Sequence, residues 1–212
     1  MKPAFEIPLI KATNLNLNNY GYLVDNFDKC EIKITQWPKQ GWRNVDIGTG
    51  DEGGTTEGSF DVWWEQNILY GKNNAVPHKN LNPYEKNDTY LLGYNYHPEE
   101  KNKLEASKQV ENIYLWHANY HPDGGQLFFP EKKTPFICAL ALPGDDIHPK
   151  DFKAFYFDGS MGLYIHPYVW HDAVFPISKS ARFKGKQGKV HARVSVDFVK
   201  EFNSYLKFKT SL

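Results

Sequence analysis

The chain has 212 residues, enough for one well-filled core and short for two independent domains. Twenty-five basic residues balance twenty-five acidic ones, so no global field draws the protein to nucleic acid or an anionic membrane. No apolar stretch is long enough to span a bilayer, and Met1 to Glu6 lacks the charged-then-apolar pattern of a secretory signal. Cys30 and Cys138 lie far apart, Cys138 inside an apolar run, which reads as buried free thiols in the reducing cytoplasm rather than a disulfide.

In chain order, residues 13–19 read as a short helix or turn, and Tyr20-Gly21 leads into a strand through Val24. Cys30 to Ile34 alternates like a strand. The glycine-dense segment 48–58 lacks the Lys-Ser or Lys-Thr of a phosphate-cradling loop and reads as a flexible connection. Phe60–Glu65 and Ile68–Tyr70 form a pair of short strands, and Tyr90–Tyr94 another strand. Residues 72–88, rich in Asn, Lys and Pro, and the charged run 99–109 make the region 72–110 a surface excursion.

The block from Ala118 to His171 organises the rest. Its wall is the apolar run Pro135–Leu142 and the strand Phe152–Phe157, punctuated by turns at Pro143-Gly144-Asp145-Asp146 and Asp158-Gly159. Polar, ligand-type side chains stand at both ends: Asn119, His121 and Gln126 at the start, His166 and His171 at the close. Beyond it, residues 178–189 are basic and glycine-punctuated, which predicts a hairpin loop. Val190–Phe198 alternates, placing His191, Arg193, Ser195 and Asp197 on one face. Phe198–Lys207 carries Phe198, Phe202, Tyr205 and Leu206 at helical spacing. Many short strands, few helices and no internal repeat indicate an all-β sandwich or barrel.

Asn119, His121 and Gln126, with His171 later and Tyr168 where a turn glycine is expected, lie where cupin barrels carry their two motifs, although only the two histidines match. A narrower pattern fits better. His121-Pro122, Gly125-Gln126, Phe128-Phe129-Pro130, Gly144-Asp145-Asp146, Gly162, His166 and Val169-Trp170-His171 together resemble the ureidoglycolate lyase family, formerly described as hydrolases. Tyr20-Gly21 and Asp197 fall at corresponding places. Asn119 stands where that family usually has an acid, and Asp172-Ala173 where it usually has His-Pro.

The resemblance implies one cupin-like β-barrel or jelly-roll domain over residues 1–212, with a few short helices. It implies a cytoplasmic homodimer acting on a small-molecule substrate in allantoin and purine catabolism, cleaving ureidoglycolate to glyoxylate and urea. Such a step needs a base for the hydroxyl proton, an acid for the leaving nitrogen and a cation for the carboxylate. His166 and His171 are the candidates for proton transfer, and Arg193 for the carboxylate. Asn119, Gln126, Tyr164 and Asp197 are candidate substrate contacts, the Asn119 amide being a poor metal ligand and a good partner for a ureido group. His121, Gln126 and His171 would hold one divalent metal ion if one is used, with Asp123 or Asp172 supplying a carboxylate, and no organic cofactor is expected. His117 beside Trp116 reads as a packed strand end, and the His191–Asp197 face fits a solvent or dimer surface as well as a cavity wall. A cupin isomerase or hydrolase on another polar acid or sugar derivative, and a barrel that binds a metabolite without turning it over, are the rival readings.

Overall fold

The computed structural model describes residues 1–35, 41–46, 54–74, 89–100 and 110–212. The first strands are β1 (Ala4–Glu6), β2 (Leu9–Lys11) and, after helix α1 (Asn14–Leu17), β3 (Gly21–Val24). Then come β4 (Thr55–Glu65), β5 (Ile68–Asn73), β6 (Tyr90–Tyr94), β7 (Asn112–Leu115), β8 (His117–Tyr120) and β9 (Gln126–Pro130). The central block supplies β10 (Phe136–Ala141), β11 (Lys153–Phe157), β12 (Gly162–Ile165) and β13 (Trp170–His171). Strands β14 (Phe175–Pro176), β15 (Ser180–Gly188) and β16 (Val194–Asp197), helix α2 (Phe198–Phe202) and β17 (Tyr205–Lys209) follow.

Among the described residues the strands form a ten-stranded sheet, ordered β1-β17-β7-β6-β5-β4-β15-β9-β12-β3, and a seven-stranded sheet, β16-β8-β13-β10-β11-β2 with β14 beside β10. All pairings are antiparallel except β1 with β17 and β2 with β11. The fold is thus all-β, as the many short strands predict, and cupin-like, as the resemblance implies. The N-terminal segment clips the two sheets together: β1 extends one, β2 extends the other, and Ile7 between them is buried.

Aromatic side chains fill the space between the sheets. Phe136 of β10 stacks on Phe157 at 4.6 Å and meets the edge of Phe183 from the opposite sheet at 5.2 Å. Phe175 and Phe208 bridge the sheets at 5.6 Å. Each such ring removed from water contributes roughly 1.5–3 kcal/mol. Strand β10 is buried on both faces along its whole length, which is why its sequence is a continuous apolar run without alternation. The turn after β11 requires glycine: Gly159 has φ +78°, and a Cβ there would collide with the Thr134 backbone. Cys30 and Cys138 are both buried and free.

Five expectations need correction. The basic segment 178–189 holds no hairpin loop; β15 runs through it as a nine-residue strand between β4 and β9. Its alternation is real but disguised, because Arg182, Lys184 and Lys186 crowd one face while Ala181, Phe183, Gly185 and Gln187 occupy the other. The C-terminal helix ends at Phe202, where Asn203 takes a left-handed cap at φ 51°, and Tyr205–Lys209 is a strand paired with β7. The strand predicted over 190–198 is shortened to Val194–Asp197, because His191 has φ +48°. The Asp123 carboxylate fixes that bend by accepting from the backbone N–H groups of His191 and Ala192, each at 3.1 Å. Cys30–Ile34 forms no strand beyond a single bridge from Ile34 to Gly124. In the glycine-dense segment, residues 55–58 belong to β4, while 47–53 lie outside the described residues, as do 75–88 and 101–109 of the expected excursion.

Strand β16 is a sheet edge, and residues 41–46 cover it. Asp46 donates its N–H to the Arg193 carbonyl at 2.8 Å, and Arg43 donates to the Ser195 carbonyl at 3.3 Å. Arg43 also pairs with Glu201 at 2.6 Å. An edge capped in this way cannot recruit another strand, and the cover holds Arg193 at the mouth of the barrel.

Candidate active site

Between the sheets, where β8 and β13 face β4, β5, β6 and β9, lies a cavity of about 660 Å³, part of it open to solvent. Phe60, Leu91, Leu92, Trp116 and Phe128 make its apolar wall. The opposite wall is polar: His117 and Asn119 from β8, His121 just after it, Gln126 opening β9, His171 and Asp172 at β13, and His191 and Arg193 leading into β16. Strand geometry explains the grouping. His117 and Asn119 are two residues apart and share a face, and Asn119 lies in register with both His171 and Ser195 on the flanking strands.

The two histidines fifty residues apart do meet: the rings of His121 and His171 are 5.0 Å apart in an edge-on arrangement. His191 stacks on the other side of His121 at 4.1 Å. The bend before β13 is made by Tyr168 at φ +68°, a left-handed conformation at the position where a glycine was expected. Strained backbone therefore flanks the imidazole row at both Tyr168 and His191.

Hydrogen bonds orient the two rings. His121 Nδ1 lies 2.8 Å from the Ala192 carbonyl, so it carries the proton and Nε2 is left as an acceptor with no partner among the described residues. His171 Nδ1 lies 2.8 Å from the Val169 carbonyl, and its Nε2 lies 2.8 Å from the Gln126 side-chain oxygen. Burial pushes His171 down to about 4, so near neutrality the ring is uncharged and carries a single proton between these two oxygens. Gln126 in turn donates its side-chain NH₂ to the Gln187 oxygen at 3.2 Å. A chain of polar contacts thus runs from Gln187 through Gln126 and His171 to Val169.

Burial also lowers His121 well below the usual imidazole range, with His191 and His171 adding to it, and lowers His117 to about 4 with help from Arg193. Asp172 moves the other way. Burial raises it to about 7 against the opposing pull of the Ala173 N–H and Arg193. Arg193 Nε stands 3.5 Å from Asp46.

The set expected for a metal, His121, Gln126 and His171, does not suit one in this arrangement, because both nitrogens of His171 are committed to protein hydrogen bonds. Asp123 is tied to backbone N–H groups, and among the described residues no three His, Cys, Asp or Glu side chains are grouped to hold a cation.

Of the residues singled out in the sequence, Asn119, His121, Gln126, His171 and Arg193 come together in the cavity, and Tyr164, His166 and Asp197 do not. Tyr164 points to the outer layer, stacked on Tyr22 at 4.6 Å, with its hydroxyl accepting from the Lys33 N–H. His166, on the same strand face, packs against Tyr22 and Tyr164. Asp197 caps α2 by accepting from the N–H groups of Val199 and Lys200. His117, read as a packed strand end, lines the cavity. Asn73, Tyr90 and Gln187 were missed. The pairing of β4 with β5 would have pointed to Asn73, but nothing in the sequence marks Gln187.

A two-sheet β-barrel whose mouth gathers imidazoles from an early and a late strand defines the cupin-like class. Residues 66–198 match the family model for ureidoglycolate lyase, a span that contains every cavity residue except Phe60. The chain belongs to the ureidoglycolate lyase family. Over 63 residues it is 33% identical to the ureidoglycolate lyase of Azotobacter vinelandii, covering 30% of this chain and 38% of that protein. It is 36% identical over 63 residues to the ureidoglycolate lyase of Pseudomonas savastanoi pv. phaseolicola, covering 30% of this chain and 37% of that protein. The chain thus spans less than two-fifths of the length of these curated relatives.

Proposed function

We propose that the protein is a lyase that cleaves ureidoglycolate to glyoxylate and urea, with His121 as base, Asp172 as acid and Arg193 as the carboxylate anchor. The observation that carries this reading is the Nε2 of His121, unpartnered among the described residues, in the same cavity as the Asp172 carboxyl, which burial pushes up to about 7. His121 takes the hydroxyl proton, and the carbonyl of glyoxylate forms as the carbon–nitrogen bond breaks. The bond pair goes to nitrogen, which takes the proton of Asp172 and leaves as urea. Passing one proton from His121 to Asp172, directly or through solvent, resets the site. His171, tied at both nitrogens, is a wall that holds the His121 ring in place rather than the base itself. This reading carries with it a place in cytoplasmic purine catabolism and a homodimeric assembly, which sizing of the purified protein checks.

The test is turnover of ureidoglycolate by purified protein. Glyoxylate and urea should appear in equal amounts, and the rate should survive dialysis against a chelator. His121→Gln should lose about 10²–10⁴-fold in kcat, the usual contribution of a positioned base, with the native circular dichroism retained. Absence of turnover in the wild type would overturn the lyase reading, and loss of turnover on chelation would overturn its metal-free form.

A further inference from the structure

Asn119 is nine-tenths buried on β8, opens on the cavity, and its side-chain oxygen meets no hydrogen-bond partner among the described residues. Its neighbours across the sheet are already engaged. His171 gives its nitrogens to Val169 and Gln126, and Ser195 donates its hydroxyl to Asp46 at 2.6 Å. A buried amide oxygen left in this state bears its desolvation cost, which no described residue repays. A ligand can. A primary amide presents one acceptor and two donors in a plane, which is the complement of a second amide carrying C=O and N–H side by side. A carboxylate would leave the Asn119 oxygen empty, and a lone hydroxyl would satisfy one side only.

We infer that Asn119 is the specificity-determining residue that reads the terminal carboxamide of a ureido-bearing acid. This rests on the lyase reading for the identity of the ligand's other end, and it deepens that reading by naming what separates a ureido acid from other 2-hydroxy acids. The imidazole row then holds the reacting carbon, while Asn119 holds the urea that will leave.

Ureidoacetate, which lacks the hydroxyl and cannot be cleaved, tests this against N-acetylglycine, in which a methyl replaces the terminal NH₂. By calorimetry the wild type should bind ureidoacetate about 10- to 100-fold more tightly, the discrimination a buried polar site exerts against an analogue that leaves it unpaired. In Asn119→Ala, and in Asn119→Ser as a second variant, that preference should collapse toward unity. The melting temperature of Asn119→Ala should equal or exceed that of the wild type, because an unsatisfied buried group has been removed. A ratio unchanged in both variants overturns the inference, as does a wild type that binds neither probe, or a drop in melting temperature showing that the amide is a structural partner. Turnover of ureidoglycolate by the wild type is measured separately. If turnover occurs while the ratio is indifferent to Asn119, the inference fails and the lyase stands. If the ratio depends on Asn119 while nothing is cleaved, the lyase reading fails and the amide subsite stands.

Discussion

At the scale of single residues, Asp172 decides how the site depends on pH. Burial holds its carboxyl protonated up to about 7, and burial keeps His121 unprotonated to well below the usual imidazole range. An acid must be protonated to act and a base must not be. The productive pairing therefore exists between the low value of His121 and about 7 for Asp172. We expect kcat/KM for ureidoglycolate to fall as pH rises through about 7, the limb belonging to Asp172. Asp172→Asn should lose rate by about 10²-fold or more and should lose that limb as well. A variant that keeps the alkaline limb would remove Asp172 from the mechanism, whatever its rate. In the sequence Asp172 was visible only as a possible metal ligand, since residue order shows that it follows His171 and not that the barrel closes over it.

Among the elements, β15 is where the sequence misled most, and where a substitution is most informative. Phe183 lies in register with Phe60 on β4 and packs against Phe136 at 5.2 Å and Phe128 at 6.5 Å. If Ser180–Gly188 were the surface loop that its charges suggest, Phe183→Ala would be nearly silent. As the middle of a strand joining β4 to β9, it should cost about 3–5 kcal/mol in a urea melt. The contrast shows what was legible. The site's two anchoring histidines could be read because His121 and His171 close the ends of a block whose central run, β10, is apolar on both faces, as a buried wall is. The bend at Tyr168 was placed by the resemblance to the cupin motif, where a turn glycine is expected, and not by the residue itself. The β15 strand and the short β17 strand could not be read. Lysines and glycines hid the period of two in one, and Phe198, Phe202 and Leu206 imitate a helical stripe across the boundary between α2 and β17. Tyr164 and His166 are two residues apart and share a face, but alternation cannot say which layer that face meets.

For the molecule as a whole, the cavity makes acid stability a property of the fold. Burial lowers His117 and His171 to about 4 and holds His121 well below the usual imidazole range, while an unfolded chain would protonate all of them near 6.5. Between those limits the unfolded state binds protons that the folded state refuses, so stability is lost as pH falls from about 6.5 toward 4. Asp172 acts with the opposite sign. Raised from 3.8 to about 7, its carboxyl favours the folded state below 3.8 and gives up that contribution as pH climbs to 7. Three imidazoles oppose one carboxyl across the shared window, so the net slope follows the imidazoles. We expect the melting temperature to fall steadily on acidification from pH 7 to pH 5. Asp172→Asn should be more stable than the wild type at pH 8, where the wild-type carboxyl must be buried charged, and should fall more steeply toward pH 5, where the opposing contribution is gone. A wild-type profile flat across that range would mean that the imidazole row is solvated rather than enclosed, and the base assigned to His121 would lose the environment that keeps its nitrogen bare.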